Sequence, residues 1–322
     1  MACFNPLYVR YVDGQFGRFG GKLTQAVIDS ALPGETIVPV PCGKCDGCRL
    51  DRSKAWADRM LAEYEYPVSP ENRRKALFIT LTYDDAHLPL VTCTDRQRRG
   101  TLKQRDTQLF LKRLRKHFEP RKLRYFVCGE YGGTTFRPHY HMILFGLGLD
   151  DLGQPQVFSQ GEQPGTINYT SDLLLQLWQN GLVVYSDVNY QTFAYVARYV
   201  LKKQFGSDDG ALFYKGRLPP FCSMSRRPGL GAVAFSGVDD DFTRSIPING
   251  SVRLVGSPRA FRLKLKDTDP ELYDNMSAAR RLASADRQRL RDGLTDLTFL
   301  QQRQLDGAAL KAKTKLLHKR KN

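Results

Sequence analysis

The 322 residues contain no run approaching the roughly 20 apolar residues of a bilayer span, which excludes a transmembrane anchor. The start, Met1-Ala-Cys-Phe-Asn-Pro, has no basic stretch followed by an apolar one, so no export signal is read and an unsecreted protein is expected. Acid is in short supply: 33 Asp and Glu face 49 Lys and Arg, for a formal charge of +16. Such a surplus points to a polyanionic partner, because clustered cations displace the counterions condensed on a nucleic-acid backbone. Histidine is rarer still, at five, which makes any pairing of histidines informative. Gly-x-Ser-x-Gly is missing and the cysteine cluster has no histidine nearby, so a serine or cysteine hydrolase gains no support. Seven cysteines, three of them within seven residues, argue for thiols or thiolate ligands over a disulfide framework in a chain without an export signal. What remains is ordinary globular material, 41% apolar and 11% aromatic, in a length that suits about two compact units.

Three regions are expected. Residues 1–72 mix Gly and Pro with aromatics, carry Cys42-Gly-Lys-Cys45-Asp-Gly-Cys48, and close on a helix over 51–66 that Pro67 and Pro70 end. Residues 73–206 read as an α+β core. The compact β-branched run 76–83 is a strand. In 106–118, Leu111, Leu114 and Phe118 recur at helical spacing while Lys112, Arg113, Arg115 and Lys116 give a basic outer face. Strands 123–130 and 139–145 flank a Gly- and Pro-containing reversal and should pair antiparallel. A polar, Gly- and Gln-rich loop follows, then a helix from the Ser171 cap to Trp178 closed by Gly181, a strand at 182–185 and a helix over 190–204. A central antiparallel sheet flanked by helices results. Residues 207–322 are a Gly- and Pro-punctuated accessory region, followed from Asp269-Pro270 by a basic helical tail ending in Lys319, Arg320 and Lys321.

His139-Tyr140-His141 lies in the second strand of the expected pair. Side chains two apart share a strand face, so both imidazoles project together and can offer two nitrogens to one divalent metal. If the strands pair across the reversal, Glu130 lands beside His139 as a third ligand. The competing reading is a polar strand face that binds nothing. In the later helix, Tyr195, Tyr199 and Lys203 recur at intervals of four and fall on one stripe, with Val196 and Val200 on the packing side. A phenol with a pKa of about 10 is a poor nucleophile at neutral pH, and a neighbouring ammonium favours its phenolate. Lys203 is the expected cation and Lys202 its substitute. The competing reading here is an aromatic packing stripe.

Phe-Ile-Thr-Leu-Thr-Tyr (78–83), Arg-Pro-His-Tyr-His-Met (137–142) and Tyr-x-x-x-Tyr-x-x-x-Lys (195–203) together resemble the three motifs of HUH rolling-circle replication initiators. The order matters, since relaxases place the tyrosine before the histidine pair. The resemblance is nearest to the initiators of microviruses, in particular their gokushovirus branch, and extends over about residues 3–231, including Ser225-Arg-Arg-Pro-Gly-Leu-Gly231. It implies that His139, His141 and Glu130 hold Mg²⁺ or Mn²⁺ against a scissile phosphate of single-stranded origin DNA. It implies that Tyr195 or Tyr199 attacks, leaving a 5′-phosphotyrosine and a 3′-OH that a host polymerase extends in the host cytoplasm, and that the second tyrosine later helps to close the circle. Gly20-Gly21-Lys22-Leu23-Thr24 lacks P-loop spacing, so a host helicase is expected to unwind.

Cys42, Cys45 and Cys48 can place three thiolates on one ion, and Cys3 completes a four-sulfur structural zinc site if the amino terminus folds back. Cys93 or His87 is an alternative fourth ligand, and an iron-sulfur cluster uses similar spacing. Lys112, Arg113, Arg115, Lys116, Arg226 and Arg227 are the candidate phosphate contacts. The rival overall function is a non-catalytic, zinc-stabilised nucleic-acid-binding protein.

Overall fold

Ala76–Thr82 and Pro138–Phe145 carry bulky apolar residues on both sides of the strand, a pattern that requires cover on both faces of a sheet. The computed structural model supplies that cover with helices. It describes residues 3–13, 15–133, 135–161, 165–202, 214–236, 242–248 and 250–319, with the side chains of residues 19, 199–202 and 314–319 outside the description. The chain divides into two compact units, Met1–Arg52 with Asn275–Asn322, and Ser53–Asp274.

In the first unit β1 (Leu7–Val12), β2 (Gln15–Lys22) and β3 (Glu35–Val40) form an antiparallel sheet in the order β2-β1-β3, with α1 (Gln25–Asp29) between β2 and β3 in the chain. The long helix α2 (Asp46–Glu65) follows and starts five residues ahead of the expected position, with Asp46 as an acidic first-turn residue favoured by the helix dipole.

The second unit is built on a seven-stranded sheet. Its strands are β4 (Ala76–Thr82), β7 (Arg124–Tyr131), β8 (Pro138–Phe145), β9 (Gln156–Gln160), β10 (Ile167–Thr170), β11 (Val183–Asp187) and β12 (Phe221–Met224), in the order β12-β7-β8-β4-β11-β10-β9. All pairings are antiparallel. The ribbon β5 (Leu90–Thr92) with β6 (Arg98–Gly100), and a second of β13 (Thr243–Ile248) with β14 (Ser251–Gly256), stand apart from it. The polar loop expected after β8 is instead the hairpin β9–β10.

One sheet face packs on α3 (Gln104–His117) and α4 (Asp172–Trp178): Leu77, Ile79 and Leu81 of β4 and Tyr140, Met142 and Leu144 of β8 meet Phe110, Leu114 and Trp178. The other packs on α2 and α5 (Tyr190–Lys202), where Phe126, Cys128, Ile143 and Phe145 meet Met60, Leu61, Phe193 and Val196. Each large side chain so enclosed contributes about 1.5–3 kcal/mol. At the end of α4 the chain turns sharply. Gly181 has φ +133°, and a Cβ there would sit 2.3 Å from the Asp84 nitrogen, so only glycine lets this turn press onto the end of β4. The chain continues through α6 (Arg259–Thr268), α7 (Pro270–Asp292) and α8 (Phe299–Lys319), which form the helical tail. Among the described residues no helix is long and apolar enough to cross a membrane.

One buried ion pair ties the sheet to α2. Glu63, 1% exposed, takes a 2.6 Å bond from Arg124 at the start of β7 and a 2.8 Å bond from the Gly231 amide. Glu63→Ala strands the guanidinium in a poorly hydrated place, and urea unfolding should register a loss of about 3–5 kcal/mol.

Candidate active site

The site is set by strand register. Glu130 of β7 lies directly opposite His139 of β8, and on the other flank of β8 the partners of His139 and His141 are Thr82 and Thr80. Alternation sends both imidazoles to the α5 face, their centroids 4.9 Å apart and their planes at 82°. Each ring is held by Nδ1. His139 Nδ1 donates to the Arg137 carbonyl at 3.1 Å, and His141 Nδ1 lies 3.1 Å from the Thr80 hydroxyl. The Arg137 guanidinium in turn donates to the Tyr83 carbonyl at 2.7 and 3.1 Å and to Asp85 at 2.7 Å, which fixes the segment that supplies the His139 acceptor.

With Nδ1 so occupied, both Nε2 atoms aim at one carboxylate oxygen: Glu130 Oε1 is 2.9 Å from His139 and 3.3 Å from His141. A carbonyl only accepts, so His139 Nδ1 carries the ring proton, and the Nε2 of a neutral ring presents a lone pair to the carboxylate. Two acceptors at that distance are stable only with positive charge between them, a proton or a metal ion. The donor set suits a metal. The three ligand atoms lie within 4.8 Å of one another. Neighbouring ligands of an octahedral ion bound at about 2.1 Å are about 3 Å apart, and two nitrogens with one carboxylate leave positions for water or phosphate oxygen. Glu130 and His141 are buried, while the His139 side chain keeps 19% of its surface, so access is from the His139 side.

α5 carries Tyr195 into this setting. Its ring meets His141 edge-on at 5.8 Å and Phe78 at 6.0 Å, while Phe78 stacks on His141 at 5.6 Å and 21°. His141, Tyr195, Phe78, Thr80, Asn168 and Ser186 line a cavity of about 290 Å³. The Arg198 guanidinium lies 5.8 Å from the Tyr195 ring centre, one helical turn along.

Residues 76–204 match the family model of the replication-associated protein ORF2. The chain is 34% identical to the replication-associated protein ORF2 of Spiroplasma virus 4, over 71% of this chain and 69% of that protein. It is 32% identical to the replication-associated protein VP4 of Bdellovibrio phage phiMH2K, over 80% and 78% respectively. This chain belongs to the replication-associated proteins of microviruses. The replication-associated protein ORF4 of Chlamydia phage 1 is 31% identical over 70% of this chain and 53% of its own length. No solved structure matches the chain.

In this microvirus replication-associated protein, Glu130, His139, His141 and Tyr195 come together. Tyr199 belongs to α5, but its side chain is outside the description, and Lys203 lies outside the described residues altogether. Phe78, Thr80, Arg137 and Arg198 were not singled out from the sequence as parts of the site. Strand alternation carries a signal for two of them, since Phe78 and Thr80 share the face of β4 that borders the histidines. Among the candidate phosphate contacts, Arg113 is spoken for: it donates to the Leu177 and Trp178 carbonyls at 3.0 and 3.4 Å, closing the end of α4.

The four cysteines of the first unit also converge. Sγ of Cys45 is 3.8 Å from that of Cys3, Sγ of Cys42 is 4.0 Å from that of Cys48, and all four lie within 4.8 Å of one another. Four sulfurs at about 2.3 Å from a tetrahedral ion are about 3.8 Å apart. The amides of Cys42 and Cys45 donate to Cys3 and Cys42 sulfur at 3.3 Å each, a pattern that stabilises thiolates. Cys3 therefore fills the fourth position. The alternatives are engaged elsewhere, Cys93 with the Val91 carbonyl and His87 with Asp84.

Proposed function

We propose that this protein initiates rolling-circle replication as an HUH nickase and strand-transfer enzyme, with residues 73–206 as the nicking and joining domain and the flanking regions accessory to it. The observation that supports this best is the contact of Tyr195 with His141, which sets a phenol beside the imidazole and carboxylate cluster at one cavity. In the first step a tyrosine oxygen attacks a phosphorus of single-stranded origin DNA. The new bond joins phosphorus to the phenolic oxygen, the bond to the 3′ oxygen breaks, and that oxygen takes up a proton while the phenol loses one. Mg²⁺ or Mn²⁺ held by Glu130, His139 and His141 would draw charge from the phosphate as a Lewis acid. The cations of α5, Arg198 beside Tyr195 and Lys203 or Lys202 farther along, favour the phenolate.

The free 3′-OH then primes synthesis by a host polymerase behind a host helicase in the host cytoplasm. After one circuit the second tyrosine cuts the regenerated origin, and the released 3′-OH attacks the first phosphotyrosine. One phosphodiester is exchanged for another at each step, so joining needs no nucleotide cofactor.

The test is incubation with single-stranded origin DNA and Mn²⁺, followed by denaturing electrophoresis. A protein-DNA adduct that survives denaturation supports the nickase. Binding without any adduct would leave a non-catalytic, zinc-stabilised nucleic-acid-binding protein.

The cysteine cluster is assigned to structural zinc in the same reading. Closed four-sulfur sites contribute folding free energy directly, on the order of 10 kcal/mol in small domains. Elemental analysis should find one zinc per chain. Cys42→Ser with Cys45→Ser should lose it and expose 1–52 to proteolysis, whereas full-length protein without bound zinc but equally resistant would refute the assignment.

A further inference from the structure

A second surface of the same unit has the makings of a nucleic-acid site. On the α3 face of the sheet, a groove of about 980 Å³ runs between α3, the start of β7 and the segment after β12. Its wall includes Arg115, Arg121, Lys122, Arg124, Arg226 and Arg227, with Glu119 as the one acidic lining residue. Charge alone would not decide its role, because several of these cations are already used. Arg124 is paired with Glu63, Arg121 with Asp151, and Arg115 reaches the Leu123 carbonyl. Lys122, Arg226 and Arg227 are different: all three are exposed, and no ion pair of theirs is found among the described residues.

The segment that presents the two arginines is held rigidly. Ser225 exchanges bonds with Tyr125, its amide donating to the Tyr125 carbonyl at 3.0 Å and its hydroxyl accepting from the Tyr125 amide at 3.1 Å. The Pro228 carbonyl accepts from Arg124 at 2.8 Å, the Leu230 carbonyl from Arg59 at 3.1 Å, and the Gly231 amide donates to Glu63 at 2.8 Å. Gly231 has φ +76°, and a Cβ there would come within 3.0 Å of the Arg59 carbonyl oxygen. The backbone groups of this turn are thus satisfied internally, while the two guanidinium groups stay available at the groove. Ordering cost has been met in folding, so binding a phosphate here loses little further entropy. Tyr125, with Arg115 over its ring at 5.6 Å, gives the groove floor an aromatic surface.

The groove cannot serve the nucleotides at the metal cluster. Tyr125 and Glu130 lie on the same strand but on opposite sheet faces, five residues or about 17 Å apart along β7. We propose that this groove binds the phosphodiester backbone of origin DNA at least about five nucleotides from the nick, anchored by Lys122, Arg226 and Arg227. The choice of DNA as the polyanion rests on the nickase reading; the groove itself does not.

The experiment compares two labelled oligonucleotides, a short core spanning the nick and the same core extended by ten nucleotides, the extension being either single-stranded or folded as a hairpin. Wild-type protein should bind an extended form about tenfold more tightly, and whichever extension gives the gain identifies the strand form. In R226E/R227E that gain should fall below twofold, and the slope of log affinity against log salt should flatten by about 1.4–1.8, the share of two phosphates. K122E should lose part of the gain, and unchanged melting temperatures would show that both variants fold. An equal gain in wild type and R226E/R227E, or an unchanged salt slope, would overturn the proposal. Absence of an adduct on the core oligonucleotide with wild-type protein would instead count against the nickase, with the affinity ratio still deciding the groove.

Discussion

Exchange of both Tyr195 and Tyr199 for Phe is expected to abolish the covalent DNA adduct, a fall of at least about 1,000-fold, or about 4 kcal/mol of lost transition-state stabilisation. Either single exchange should leave measurable cleavage, since the other phenol on the same stripe of α5 can take over. Tyr195→Phe removes one oxygen and keeps the ring, so the edge contacts to His141 and Phe78 persist and the fold should not suffer. The two nucleophiles can be told apart directly. Trypsin cuts after Arg198, which puts Tyr195 and Tyr199 on different peptides, and mass spectrometry of the nucleotide-bearing peptide then identifies the attacking residue. An undiminished adduct in the double variant would remove tyrosine chemistry from this site.

Glu130→Gln should have an effect of similar size on cleavage and an opposite one on the metal-free protein. In the native cluster the His139 Nε2 lone pair meets a carboxylate oxygen at 2.9 Å. An amide can donate to that nitrogen and satisfy it without any cation. The variant should therefore melt no lower than wild type in EDTA, yet lose the rise in melting temperature that Mn²⁺ gives wild type. That rise reflects about 2.7 kcal/mol when the metal is at a hundred times its Kd. Adduct formation should fall by about 100-fold or more. A Mn²⁺-induced shift that survives the substitution would place the ion elsewhere.

The centre of the molecule was legible because its signals are local. The β-branched run of β4, the 3.6-residue period of α3 and α5 and the Gly-Gly to Pro reversal between β7 and β8 each announce their element, and alternation alone puts both histidines on one face. Pairing register was the inferential step, and it places Glu130 opposite His139. Elements at the sheet margins gave no such signal. All five residues of β9 are exposed, with Val157 and Phe158 adjacent and not alternating, so no buried face marks the strand. β12 has only four residues and owes its place to pairing with β7, and the three glycines of β2 read as a loop. Thr80, Arg137 and Arg198 went unassigned because their roles depend on neighbours brought up by other elements. Arg113 shows the converse: its charge was visible, but the carbonyls at the end of α4 that occupy it were not.

The pairing of β7 with β8 also governs how this protein can tolerate change. The metal-facing side chains are joined by two adjacent, directly bonded strands, so their spacing is independent of the length of the connection at 132–136. Extra residues, an epitope or even a small folded insert placed there would hang from the tip of the hairpin and leave the cluster intact. Removing a single residue inside β8 upstream of His139 would do the reverse, rotating Tyr140 into the histidines' place while every hydrogen bond of the ladder could still form.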